Sequence, residues 1–272
     1  MSRAYFGRIN KPFAILHGGG GPSDPQAERI LLATEVLVAI STNLSLSADA
    51  MDIVQSGVER MESEPTFNAG YGSALQFDGK VRLTAAIMNG RSEIFSGVAG
   101  LSDIVNPIKI ARYLQDQSSR VVSQPGAEEL ATKLELPRKN LITAQRQQQW
   151  EEKIKNNDDC DTVGCVAVDC RGDLAAATST GGRGFEIPGR MSDCGTVAGN
   201  FASRFAAVSC TGTGEEIVEA GVALRIETRI RDGMTLQAAC EKTLIEAEEK
   251  NRKFGWIAID SQGYWAVCHT TN

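Results

Sequence analysis

At residue 162 the chain changes character across a single peptide bond. The preceding stretch, RKNLITAQRQQQWEEKIKNNDD, is polar and charged with one aromatic, which suits a solvated helix near Ala144–Ile154 followed by a flexible acidic tail. From Thr162 the sequence reads TVGCVAVD, a buried β pattern with no polar lead-in. A segment with so little apolar content adds little to a core, so the chain can be cut at its end without loss of packing. A turn at Cys170-Arg171-Gly172-Asp173 and a second strand, Leu174–Thr180, complete a hairpin. If it is centred on Arg171, Thr162 faces Thr180 to within one residue of register, placing two hydroxyls side by side at its open end.

The rest of the chain supplies the core. Of 272 residues 42% are apolar, enough for one large domain or two small ones. A net charge of −6 gives no electrostatic reason to bind nucleic acid or an anionic membrane. The longest apolar run is broken by Glu35 and Ser41, so no transmembrane span is expected. MSRAYFGRINKPF lacks the apolar centre of a signal peptide, and a cytoplasmic location is expected. The seven cysteines, Cys160, Cys165, Cys170, Cys194, Cys210, Cys240 and Cys268, include no CxxC pair; they read as free thiols and not as a zinc site.

Phe13–Leu16 is a short buried strand ending in His17 and four glycines, first of all a tight turn, and it lacks the Lys and Ser/Thr of a phosphate loop. Asp24-Pro25 opens a helix to about Ser41, with Ile30, Ala33, Leu37 and Ile40 on its apolar side. A second helix spans about Ser47–Glu62. A loop rich in Gly and Asn, residues 65–72, follows it. Strands at Ser73–Phe77 and Lys80–Met88, joined by Asp78-Gly79, read as a hairpin. Glu93–Gly100 is a strand; helices follow at Asn106–Gln115 and Gly126–Lys133. Beyond Thr180, a long loop spans Arg183–Asn200 and a strand spans Ala206–Ser209. Helices Glu215–Arg231 and Thr235–Lys250 and a closing hairpin, Trp256–Asp260 with Tyr264–His269, complete the chain. This order suits an α+β fold of two packed sheets covered by helices.

Only His17 and His269 could serve as imidazole bases, and neither lies near a GxSxG elbow, so a Ser-His-Asp or Cys-His triad is disfavoured. Carboxylate-pair chemistry stays open, because 34 acidic residues make chance pairs common. The remaining logic is a Thr hydroxyl with its own terminal amine as base. An α-amine has a pKa near ~8 and can accept a proton at neutral pH. Cleavage between Asp161 and Thr162 would create that amine.

DTVGCVAVD, ATSTGG, PGR-x-x-D and CTGTGE resemble the threonine-type N-terminal-nucleophile hydrolases of the plant-type asparaginase and isoaspartyl peptidase family. HGGGG, FNAGYGS and IMNG resemble that family's first half. The resemblance implies a four-layer αββα sandwich. It also implies one domain cut into fragments 1–161, with a linker at about 137–161, and 162–272, pairing into a dimer of such heterodimers. By the same resemblance Thr162 is the autoproteolytic nucleophile, Thr180 supports its hydroxyl, and Thr211 with the Gly212 N–H forms the oxyanion hole. Arg190 takes the substrate α-carboxylate, Asp193 and the Gly214 carbonyl take its α-amine, Gly212 also lies against the substrate, and Asn68 is a polar group near the nucleophile. Carbonyls of Met61, Glu62, Glu64, Phe67, Ala69 and Tyr71 resemble a structural sodium-binding loop, and no cofactor is expected for catalysis.

The implied reaction is hydrolysis of the side-chain amide of L-asparagine or of β-aspartyl dipeptides, releasing L-aspartate. Departures from the family pattern fall at Thr84, Asn89, Asp161 and Thr213. Asp161 resembles the glycosylasparaginase and threonine-aspartase branches. Those activities, and an uncleaved homologue that binds aspartyl ligands without turnover, are the alternatives.

Overall fold

The structure, a computed structural model, describes residues 2–19, 27–42, 47–153 and 162–270. Eleven strands are described: β1 (Arg3–Arg8), β2 (Phe13–His17), β3 (Leu83–Asn89), β4 (Ile94–Leu101), β5 (Val121–Val122), β6 (Val163–Val168), β7 (Leu174–Thr180), β8 (Asn200–Ala202), β9 (Ala206–Gly212), β10 (Phe254–Asp260) and β11 (Tyr264–His269). The helices are α1 (Ala27–Thr42), α2 (Ala50–Ser63), α3 (Ile108–Tyr113), α4 (Gly126–Lys133), α5 (Ala144–Lys153), α6 (Gly214–Ala220), α7 (Val222–Arg231) and α8 (Leu236–Glu249).

The strands form two sheets, ordered β1-β11-β10-β9-β8 and β2-β6-β7-β3-β4-β5. They pack face to face where β6 and β7 meet β9. Helix α2 covers the outer face of the second sheet, and α7 and α8 cover that of the first. The result is the expected α+β sandwich of four layers.

Strand alternation explains how one sequence serves two cores. In β6, Val163, Cys165 and Ala167 pack in one apolar cluster with Ile53, Val54, Val58 and Met61 of α2. Val166 and Val168 turn the other way and join Val208, Cys210 and Ile257 in a second cluster. Helix α2 presents its apolar side because Asp49 caps its start, accepting from the Asp52 N–H at 2.9 Å. Each Val, Ile and Met side chain among these, once buried, contributes about 1.5–3 kcal/mol.

The hairpin between Thr162 and Thr180 forms in the expected register, with Val163 opposite Ser179 and Val168 opposite Leu174. The hairpin expected around Asp78-Gly79 does not. Residues 73–77 are irregular because their backbone groups are bonded elsewhere: the Ala74 N–H to Asn68 Oδ1, the Leu75 carbonyl to the Phe185 N–H, and the Phe77 N–H to the Glu186 carbonyl. The single helix expected from Glu215 to Arg231 is broken at Gly221, which takes a left-handed conformation (φ 58°, ψ 43°) between α6 and α7. Strands β1, β5 and β8 are additional.

Helix α5 is docked and not merely solvated. Trp150 stacks on Phe185 at 5.8 Å and donates to the Gln76 carbonyl, and Arg146 Nε donates to the Gly72 carbonyl at 2.5 Å. The expected helix start at Asp24-Pro25 and the acidic tail 154–161 lie outside the described residues. Among the described residues, no helix is long and apolar enough to cross a membrane, and no group of three His, Cys, Asp or Glu could hold a metal.

Candidate active site

Thr162 immediately precedes β6, and the alternation that turns Val166 toward the other sheet turns Thr162 the same way. It is buried, with its hydroxyl donating to Thr180 Oγ1 at 3.3 Å. Its main-chain N–H meets Thr211 Oγ1 of the facing sheet at 3.4 Å. Thr180 Oγ1 also accepts from the Gly182 N–H at 3.1 Å. An oxygen that accepts from Thr162 draws the hydroxyl proton away from the atom that would attack. Three threonines, one just before β6 and the others in β7 and β9, thus converge at one end of the sandwich. Asp161 lies outside the described residues.

Asn68 holds the wall beside them. Its side chain donates to the Gly182 carbonyl at 2.6 Å and accepts from the Ala74 N–H at 2.7 Å, while its carbonyl accepts from the Gly181 N–H. Asn68 therefore acts on the Gly181-Gly182 turn that supports Thr180. Gly212 ends β9 with φ +126°; a Cβ there would lie 2.6 Å from Phe254 Cα, so only glycine lets the backbone turn away after Thr211.

Arg190, Asp193 and Gly214 meet on the far side. A Cβ on Gly214 would lie 2.6 Å from Arg190 Nη2 and 2.7 Å from Asp193 Oδ1. This missing side chain is what allows a cation and a carboxylate to stand on either side of one backbone position. Asp193 is 2% exposed, and burial pushes its pKa up to about 6 despite the Ser192 hydroxyl bonded to Oδ1 and the nearby Arg190 charge. Its Oδ2 has no hydrogen-bond partner among the described residues. A buried carboxylate with a bare oxygen is a costly arrangement that a cationic ligand would relieve.

One residue that sequence reasoning missed completes this side. Glu215 grips the Arg190 fork with both oxygens, Nε to Oε1 at 2.9 Å and Nη2 to Oε2 at 3.0 Å, and Arg183 also reaches Oε2 at 3.3 Å. A carboxylate already occupies the Nε–Nη2 edge of the guanidinium. The signal was present as the Glu of CTGTGE, which reads alone as an ordinary acidic residue in a helix's first turn.

The loop after α2 coils tightly. The carbonyls of Met61, Glu62 and Glu64 accept from the N–H groups of Glu64, Tyr71 and Phe67, at 3.2, 2.8 and 3.3 Å. Gly70, with φ +55°, lets the chain pass the Glu62 and Val105 carbonyls, each 2.3 Å from where its Cβ would be. Phe67, Ala69 and Tyr71 supply three further carbonyls on the same turn. Main-chain oxygens, each with a second lone pair, are a donor set that suits a hard monovalent cation. The Glu62 side chain lies beneath the loop, fully buried, and desolvation raises its pKa to about 8.

The departures also find places. Thr84 faces Thr180 across the β3–β7 ladder. Asn89 Oδ1 accepts from the N–H groups of Arg91 and Ser92, so it shapes the turn after β3 and lies away from the threonines. Thr213 is the residue before α6, with its N–H on the Lys253 carbonyl.

The architecture and these contacts can be set beside known proteins. The chain is 41% identical to an isoaspartyl peptidase/L-asparaginase of Synechocystis sp., over 94% of this chain and 84% of that protein. A protein of the same name from Nostoc sp. is 40% identical over 93% and 87%, and one from Mus musculus is 34% identical over 97% and 86%. The family model described as asparaginase matches residues 10–272, from the strand before the glycine loop to the end of the chain. A match of that extent, on a sandwich with three threonines meeting between its sheets, means that the chain belongs to the asparaginase family.

Proposed function

We propose that this protein is a threonine hydrolase that cleaves the side-chain amide of L-asparagine and the β-linkage of isoaspartyl dipeptides, releasing L-aspartate, after self-cleavage at Asp161–Thr162. The observation that carries this reading is the position of Thr162. It immediately precedes β6, its hydroxyl is bonded to Thr180, and its nitrogen lies against Thr211.

In the cleavage step Thr162 Oγ1 attacks the Asp161 carbonyl carbon. The C–N bond breaks, its nitrogen takes the hydroxyl proton, and the acyl group passes to oxygen. Water then hydrolyses the ester, leaving Thr162 with a free amine that serves as its base. In turnover the amine accepts the Thr162 hydroxyl proton as the oxygen attacks the β-carbonyl. Thr211 and the Gly212 N–H face the developing oxyanion. Arg190 binds the α-carboxylate alongside Glu215, and Asp193 with the Gly214 carbonyl binds the α-ammonium. The proton goes to the departing amine, and water resolves the β-aspartyl ester. Names carried by the relatives, isoaspartyl peptidase/L-asparaginase, support this substrate class.

The residues 61–71 loop would hold sodium as a structural ion, and the cleaved protein would pair into a dimer of heterodimers. Replacing sodium by choline in the buffer should lower the melting temperature, and sedimentation should give the mass of two full chains. The decisive test is intact mass together with aspartate release from L-Asn and β-Asp-Leu. Wild type should yield two fragments and activity, and Thr162→Ala neither. Persistent activity in T162A would refute the assignment.

A further inference from the structure

Helix α5 belongs to the polar stretch before Asp161, yet it reaches the loop that carries Arg190. Half-buried Trp150 stacks on Phe185 with ring centroids 5.8 Å apart and planes 26° apart, and Phe77 meets the same ring edge-on at 6.2 Å. Trp150 Nε1 donates to the Gln76 carbonyl at 3.0 Å. Gln76 is fully buried, and its carboxamide continues the path. Its Oε1 accepts from the Gly189 N–H at 3.2 Å and from Arg82 Nη1 at 2.8 Å, and its Nε2 donates to Glu186 Oε1 at 3.3 Å. Two donors at Oε1 and an acceptor at Nε2 leave one orientation for that carboxamide. Gly189 is the residue before Arg190, so one buried side chain ties α5 to the main chain of the substrate clamp.

The chain from Gly181 to Arg190 is irregular and takes its path from what it packs on. Its main chain is bonded to residues 75 and 77, the Phe185 N–H to the Leu75 carbonyl at 2.8 Å and the Phe77 N–H to the Glu186 carbonyl at 3.0 Å. Phe185 stands in the left-handed region, with φ 61°, which a bulky side chain rarely adopts. Such a conformation persists only where the surroundings over-determine it. Here Phe77 is 67% exposed and open to solvent, so the stacked face of Trp150 is the firmer of the two ring contacts. Helix α5 has its own anchor, Arg146, which donates from Nε to the Gly72 carbonyl at 2.5 Å and from Nη1 to Gln149 at 3.1 Å. At the far end of the loop Glu215 sets the tip of Arg190, while Gln76 sets the main chain that leads into it.

We propose that Trp150 is a positioning residue for the substrate clamp: by stacking on Phe185 and holding Gln76, it sets the main-chain path into Arg190 and so the affinity for the substrate α-carboxylate. Helix α5 lies in the fragment before Asp161 and the 183–190 loop in the fragment after it. The clamp is therefore completed across the cut, by a helix that contributes no group to the chemistry. The affinity part rests on the hydrolase reading above; the hold of Trp150 on the loop does not.

Trp150→Ala removes both the stack and the bond to Gln76. An aromatic pair and a hydrogen bond are each worth up to roughly tenfold, so KM for L-Asn should rise about 10-fold. The α-carboxylate is bound alike in the ground and transition states, so kcat should stay within about twofold of wild type. A fall in kcat with KM unchanged, or no change in either, would overturn the proposal. Trp150→Phe keeps a ring on Phe185 and loses only the bond to Gln76; its KM should fall between wild type and Trp150→Ala, and a value as high as that of Trp150→Ala would overturn the role of the stack. Amide hydrogen exchange read by peptide mass spectrometry needs no substrate. In Trp150→Ala, residues 183–190 should exchange about 10-fold faster or more, with β6 and β7 as in wild type. Unchanged exchange in 183–190 overturns the proposal whatever the kinetics, and so does faster exchange throughout, which marks a general loss of stability. Loosening confined to 183–190, in a protein whose wild type releases no aspartate, would refute the hydrolase reading and leave the positioning role standing.

Discussion

Replacing Gly214 by alanine is the sharpest single probe of the substrate clamp. Gly214 opens α6 without a positive φ, so its backbone accepts alanine, and exchanging glycine for alanine in a helix gains up to about 1 kcal/mol. The added methyl, however, would lie 2.6 Å from Arg190 Nη2 and 2.7 Å from Asp193 Oδ1, against an ordinary contact of 3.4–4 Å. Both groups must withdraw by roughly 0.7 Å or more, beyond what a good hydrogen bond tolerates. Each charge-assisted bond to the substrate is worth about 1.5–3 kcal/mol, so loss of one lowers kcat/KM by about 10- to 100-fold. Intact mass should show unchanged cleavage, because among the described residues the hydrogen bonds of Thr162 go to Thr180 and Thr211 and not to Arg190 or Asp193. Thermal melting should show equal or slightly higher stability. The reasoning is refuted if kcat/KM for L-Asn and β-Asp-Leu stays within twofold of wild type. It is equally refuted if the variant loses self-cleavage together with activity.

Other outcomes follow from single groups. Asp193 must be ionised to bind an ammonium group, and burial raises its pKa to about 6. A pH profile of kcat/KM should therefore fall below about pH 6, and the residual activity of Asp193→Asn should lack that limb. Glu62, raised to about 8, binds its proton more tightly folded than unfolded, so stability falls as pH rises from about 4.5 through about 8. In melts across pH 4–9, Glu62→Gln should flatten this decline, and an unchanged slope would refute it. Thr180→Val keeps the shape but removes the oxygen bonded to Thr162; kcat should drop by about 100-fold or more, on the scale of a lost general-base contact, and stopped assays of aspartate release would detect it.

The sandwich was legible wherever local pattern and burial agreed. The β6–β7 hairpin could be placed to within one residue because both strands are buried on both faces and the turn carries Gly172 at φ +88°. Where tertiary context decides, the sequence is mute. Strand β1 is mostly exposed and owes its form to the open edge of β11, which pairs Arg3 with His269 through Arg8 with Tyr264. The backbone of residues 73–77 closes the Asp78-Gly79 turn at Gln76, whose N–H reaches the Lys80 carbonyl, but elsewhere it bonds to Asn68 and to the loop after β7, so no ladder forms. In the site, Thr162 and Thr180 were readable because they stand at the open end of one hairpin, whereas Thr211 came only from the family resemblance. The Glu215 clamp on Arg190 was not, since it joins residues 25 apart with strands β8 and β9 between them. His17 looked like a polar strand end; only the opposing sheet shows that it is buried and bonded to Ser209.

The strand order β2-β6-β7-β3-β4-β5 threads the hairpin that follows Thr162 between two strands that precede it, and β1 closes the other sheet against β11. An intact chain unfolds and refolds as one molecule, at a rate independent of how much protein is present. Once Asp161–Thr162 is severed, unfolding becomes dissociation, and recovery requires two separate chains to find each other and interleave their ladders. Self-cleavage would therefore turn a reversible fold into one held by the slowness of its own opening. The mature protein should show a melting curve that depends on scan rate and refolding that fails on dilution, whereas the uncut Thr162→Ala chain should refold at any concentration.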